Sequence, residues 1–256
     1  MNHLLDYYKE QNKILMEKVS SLQKEMDVEE LHDLRVTLKR MRTFFRMLDK
    51  TAPALLPSEE DYKAIRSFFK TAGTLRDLHV QDREMSKYEE SLGIDLEFIH
   101  AYIKELEQEK EQKVNALLSQ FDFSIFDRYE KHLAEQLKKK EIYEWFKMLL
   151  NFTDDRMKKA EKRIDQANTT EQLHKVRSRL KDLMYYLEII NSDPNLNTIS
   201  IDEVKDSQSF LGDWHDFVVS REFLHQYKKQ HPEIAEKNRG TLEILEDYLV
   251  QKIHFK

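Results

Sequence analysis

The chain has no cysteine, which excludes disulfides and thiolate metal sites. Glycine and proline occur only four times each in 256 residues. So few breakers exclude a turn-rich architecture and leave a chain of long helices. The glycines are scattered, so no Gly-rich loop is available to cradle nucleotide phosphates. Strand-like alternation of β-branched residues is nearly absent. No apolar run approaches the roughly 20 residues of a membrane span. The opening stretch MNHLLDYYKEQNK has no secretory h-region. These absences predict a cytoplasmic protein with no membrane partner. The net charge of −6 argues against a generic nucleic-acid coat. Any anion site must be a local basic concentration in an acidic molecule.

What is present is charge on helix formers: 35% of residues are Asp, Glu, Lys or Arg. The fold class read from this is all-α. Helices are expected over about 3–24, from the Asp27-Val28-Glu29-Glu30 capping box to about Asp49, and from Ser58 to at least Phe69. Gly73 falls inside or just after that third helix, and helical sequence continues to Gly93. Further helices are expected from about Asp95 to Leu118, over 124–139 and over 141–167. Thr169-Thr170-Glu171-Gln172 opens another, to about Ile190. Residues 191–195 read as a loop, and Ser200-Ile201-Asp202-Glu203 as the cap of a helix to about Gln230. Pro232 starts the last helix, with an interruption expected at Gly240.

One stretch organises the rest: Leu31–Leu48, LHDLRVTLKRMRTFFRML. On a helix, Leu31, Leu34, Leu38, Met41, Phe45 and Leu48 share one face. His32, Arg35, Lys39, Arg42 and Arg46 share another, within an arc of about 80°. Such a helix packs through its apolar stripe and still presents charge. Asp33 is the sole acid in the stretch, so local i,i+4 pairing cannot neutralise the basic stripe.

The pattern repeats. Leu31-His32-x-x-Arg35 recurs as Leu173-His174-x-x-Arg177, an offset of 142 residues. At that offset Leu38 matches Leu180, Lys39 matches Lys181 and Phe44 matches Tyr186. Gly73-x-x-Arg76-Asp77 recurs as Gly212-x-x-His215-Asp216, an offset of 139. Two signatures in the same order indicate an internal duplication, with halves of about 1–120 and 124–256 inside one domain over 1–256. Packed about a pseudo-two-fold axis, the halves would set the two His-Arg helices face to face. The second copy is chemically weaker: Met184 and Glu188 stand where the first copy has Arg42 and Arg46.

These residues resemble the CHAD family, the conserved histidine α-helical domains. The resemblance rests on LHDLRVTLKRMR at 31–42, LHKVRSRLKDLMYYLE at 173–188, GTLRD at 73–77 and GDWHD at 212–216. It covers essentially the whole chain. It implies two antiparallel helical bundles related by pseudo-symmetry. It also implies binding of inorganic polyphosphate in a basic central groove, often at polyphosphate granules. The chain departs from the family's basic tendency at Asp182 and Met184.

The candidate polyphosphate ligands are His32, Arg35, Lys39, Arg42, Arg46, Arg76, His174, Arg177 and Lys181. A guanidinium offers a planar fork that grips phosphate bidentately, and a linear polyanion needs a row of them. Arg40 lies off the stripe. Arg66 and Lys70 form a basic pair able to line the same groove. Arg156, Lys158, Lys159 and Arg163 read as a solvated face, and Phe44, Phe45, Phe68, Phe69, Tyr185 and Tyr186 as core or seam. Among rivals, HDLRVTL resembles a kinase H-box, yet Val36-Thr37 stands where that motif has Thr-Pro. A helical metal site using His32, His79, His174 and His215 is a second rival. A helical protein-interaction scaffold without an anion ligand is the alternative that stays open. No nucleophile–base pair or acidic metal cluster stands beside the stripe. The expectation is therefore binding without catalysis, with no cofactor, no metal and no specific nucleic acid.

Overall fold

The computed structural model describes residues 3–138, 151–153, 155, 156, 158, 159, 162, 169–191 and 202–253. Among these there are helices and no strands. In chain order they are α1 His3–Leu22, α2 Val28–Thr51, α3 Glu59–Leu92, α4 Glu97–Gln120, α5 Ser124–Leu137, α6 Thr170–Asn191, α7 Asp202–Gln230, α8 Pro232–Lys237 and α9 Arg239–Ile253. The helix expected over 141–167 falls largely outside the described residues. So do the loop at 192–195 and the Ser200-Ile201 part of the cap before α7.

The helix starts follow the local chemistry. Asp27 sits in extended backbone before α2, and its carboxylate accepts from the N–H of Glu29 at 2.9 Å and of Glu30 at 2.8 Å. The reciprocal half of the expected capping box is redirected: the Glu30 carboxylate takes Lys18 Nζ at 3.1 Å, tying α2 to α1. At α6 the box is complete. Thr169 Oγ1 accepts from Gln172 N at 3.3 Å, and Gln172 Oε1 accepts from Thr169 N at 3.1 Å.

Two glycines behave differently from one another. Gly93 ends α3 at φ 63, with its N–H on the Glu89 carbonyl at 2.8 Å, a left-handed cap that suits glycine. Gly73 lies inside α3, which passes through it unbroken. The expected interruption at Gly240 is displaced: the break between α8 and α9 falls at Asn238, and Gly240 lies in the first turn of α9.

The chain forms two compact units. One comprises Met1–Gly73 with Val114–Gln208, the other Thr74–Lys113 with Ser209–Lys256. Each unit draws one stretch from each sequence half. In the first, Tyr8, Phe44, Phe45, Phe68, Phe126 and Tyr129 are buried. Phe45 meets Tyr129 edge-on at 5.0 Å between centroids, a favoured geometry for aromatic pairs. Two of the buried hydroxyls are satisfied: Tyr8 donates to the Phe126 carbonyl at 3.1 Å and Tyr129 to that of Leu55 at 2.8 Å. In the second unit Leu78, Met85, Ile99, Ile103, Leu224, Leu242, Leu245 and Leu249 form a separate core.

Candidate functional site

The two His-x-x-Arg helices, α2 and α6, pack against each other within the first unit. Two ion pairs fix their register. Arg40 Nε meets Glu188 Oε2 at 2.9 Å, and Arg46 Nη2 meets Asp182 Oδ1 at 2.5 Å. Advancing along α2 from Arg40 to Arg46 means retreating along α6 from Glu188 to Asp182, so the helices run antiparallel. At the 142-residue offset Arg40 corresponds to Asp182 and Arg46 to Glu188. The bridges run crosswise, each arginine pairing with the acid that occupies the other arginine's matched position.

This register opens a cleft of about 250 Å³ lined by Lys39, Arg42, Thr43 and Arg46 of α2, Phe69 of α3, and Arg177, Ser178, Lys181, Asp182 and Tyr185 of α6. Five of the nine candidate ligands meet here: Lys39, Arg42, Arg46, Arg177 and Lys181. The lining thus sets five cations against one carboxylate in a molecule of net charge −6.

Arg42 is the least compensated of these charges. It is half-buried, with its guanidinium 4.0 Å from the Phe69 ring centroid. Among the described residues it has no carboxylate or carbonyl partner. Burial and the neighbouring Arg46 and Arg66 guanidiniums hold it below the ordinary arginine range, although an arginine remains charged at neutral pH. Phe69 therefore serves as the floor under the cations, using the negative face of its ring. In sequence it reads as core or seam, and no local pattern marks it for this role.

Arg35 stacks on the same ring at 4.9 Å, but from a buried position, 8% exposed. Its Nη1 donates to the Phe69 carbonyl at 3.2 Å. Gly73 explains how a guanidinium fits beside α3. A Cβ there would overlap Arg35 Nη1 and lie 3.0 Å from Cζ. The glycine shared by both copies of the second motif is, in the first copy, the notch that admits the arginine of the first motif.

The other candidates are placed apart from the lining. His32 and His174 are half-buried near the starts of their helices. Arg76 is 7% exposed and belongs to the second unit. Arg66 and Lys70 are exposed. Arg156, read as part of a solvated face, is half-buried with its guanidinium 4.8 Å from the Phe152 ring centroid, and its charge acts on Asp182.

The CHAD domain family matches residues 12–225. The chain belongs to the CHAD family. No curated protein matches it. Among solved structures, the CHAD fold here is similar to the crystal structure of the CHAD domain from the plant Ricinus communis. The TM-score is 0.78 at 19% identity, over 98% of this chain and 85% of the plant chain. At that identity the likeness speaks for the fold. No described helix is long and apolar enough to cross a membrane.

Proposed function

We propose that this CHAD domain binds inorganic polyphosphate, without turnover, along the basic cleft between α2 and α6. The observation that carries the reading is Arg42. A half-buried guanidinium on an aromatic floor, without an acid of its own and beside a second arginine, is a costly arrangement unless an anion completes it. Phosphate oxygens match the guanidinium fork. Lys39 and Arg46 continue the row along α2, while Arg177 and Lys181 face it from α6. A chain carrying charge on every unit engages such a row better than a single phosphate does. The absence of turnover is supported by the lining itself. It has a single carboxylate, Asp182, and not the paired acids or acidic metal cluster on which phosphoryl transfer relies.

Titration with long-chain polyphosphate, short-chain polyphosphate and DNA at matched charge tests this. The long chain should bind most tightly, with an affinity that falls as salt rises. Equal affinity for all three would reduce the claim to generic anion binding, and no binding would end it.

A further inference from the structure

Asp182 is an odd residue to find in a polyanion cleft. It lines the cleft and its side chain is only 23% exposed, yet its Oδ1 contacts Nη2 of Arg46 at 2.5 Å. Arg46 is the more open partner at 40% exposed, and also holds Thr43 Oγ1 through Nη2 at 3.1 Å. Its Nε is buried without a hydrogen-bond partner among the described residues. The carboxylate thus shares Nη2 with Thr43 and leaves Nε without a partner among the described residues.

We propose that Asp182 is a built-in counterion: its carboxylate competes with phosphate for Arg46, and a chain occupies the full α2 row only by displacing it. This rests on the polyphosphate reading of the cleft and adds the residue that sets its threshold. Arg42 is the open member at the middle of the row and Arg46 its guarded end. A ligand must therefore gain enough from Arg42, Lys39 and Lys181 to take Arg46 as well. A chain with many charges can do so, whereas a single phosphate cannot. Asp182 thereby discriminates by chain length.

The competition depends on pH. Arg42 and Arg46 of α2 face Asp182, as does Arg156 from the 151–162 stretch, while Lys181, Tyr185 and Tyr186 neighbour it on α6. Burial pushes its carboxyl up and the arginines pull it down. Burial prevails, leaving it above the ordinary aspartate value of 3.8. Acidification through that raised value removes the negative charge, releases Arg46 and strengthens binding.

The test measures long-chain polyphosphate affinity from about pH 4.5 to 8 for the wild type and Asp182→Asn, with Glu188→Gln as control. Glu188→Gln makes the same charge change on the Arg40 pair, outside the lining. At pH 8, Asp182→Asn should bind about five-fold more tightly, the worth of one partly exposed ion pair. The two curves should converge as pH falls, and Glu188→Gln should stay within about two-fold of wild type. Asp182→Ser provides a second uncharged variant should Asp182→Asn fold poorly. Asp182→Asn and Asp182→Ser no tighter than wild type at pH 8, or a Glu188→Gln gain of equal size, would overturn the inference and leave polyphosphate binding intact. Absence of binding by every variant would instead remove the polyphosphate reading, and this inference with it.

Discussion

Replacing Gly73 with alanine should destabilise the protein, the reverse of the usual effect inside a helix. Alanine is normally better there by about 1 kcal/mol. Here the added methyl enters the space of the Arg35 guanidinium, overlapping Nη1 and lying 3.0 Å from Cζ. Arg35 must then withdraw from the Phe69 carbonyl, now 3.2 Å away. A hydrogen bond from a charged donor contributes about 1.5–3 kcal/mol. It also withdraws from the Phe69 ring at 4.9 Å, a contact worth about 0.5–1 kcal/mol. Less the helix gain, the net loss is about 1–3 kcal/mol. Urea unfolding followed by far-UV circular dichroism measures it. The sign should invert in an Arg35→Ala background, where alanine at 73 meets no guanidinium and stabilises by about 0.5–1 kcal/mol. A Gly73→Ala protein as stable as wild type would refute the notch.

A double-mutant cycle on Arg40 and Glu188, each changed to alanine, should give a coupling of about 0.5–1 kcal/mol, and zero coupling would deny the α2–α6 register. His100 provides a pH prediction in the second unit. Its Nδ1 lies 2.6 Å from Asp82 and its Nε2 3.1 Å from Glu89. Burial works against the charged ring, but the Asp82 hydrogen bond and the two acids outweigh it and raise the histidine above its ordinary 6.5. The folded state therefore binds this proton more tightly than the unfolded chain. The stabilisation is complete below about pH 6.5 and is lost as pH rises through the higher folded value. In urea melts, wild type should lose stability relative to His100→Asn across that rise, and parallel profiles would contradict it.

Much of the fold is legible in residue order because helix boundaries are local. Asp27, Thr169 and Gly93 cap by interactions within a few residues, and the sequence shows each of them. The apolar stripe of Leu31–Leu48 likewise requires only helical periodicity. The cleft is less legible because it depends on register between distant helices. On a helical wheel Arg35 is indistinguishable from Arg42, yet Gly73 and Phe69 of α3 bury the first and leave the second half-open. Asp182 and Glu188 read as charge lost from a weaker second copy. Once α2 and α6 are antiparallel, they are counterions for Arg46 and Arg40. A signal was available: at the repeat offset, the acids stand opposite arginines at both positions. Crosswise pairing of this kind is how a local two-fold between the helices would present matched positions. The division into units, each drawing on both halves, leaves no mark in the order of residues.

The central claim is that the α2–α6 cations form the polyphosphate site. Its most direct test is calorimetric titration of long-chain polyphosphate into wild type and a Lys39→Glu/Arg42→Glu/Lys181→Glu variant at fixed salt, with circular dichroism confirming that the variant is folded. These three reversals spare Arg35, whose buried guanidinium supports the packing of α2 on α3, and leave the Arg46–Asp182 pair in place. The account predicts that binding is lost, by at least about 100-fold given the loss of several phosphate contacts. A folded variant that binds as the wild type does would contradict it.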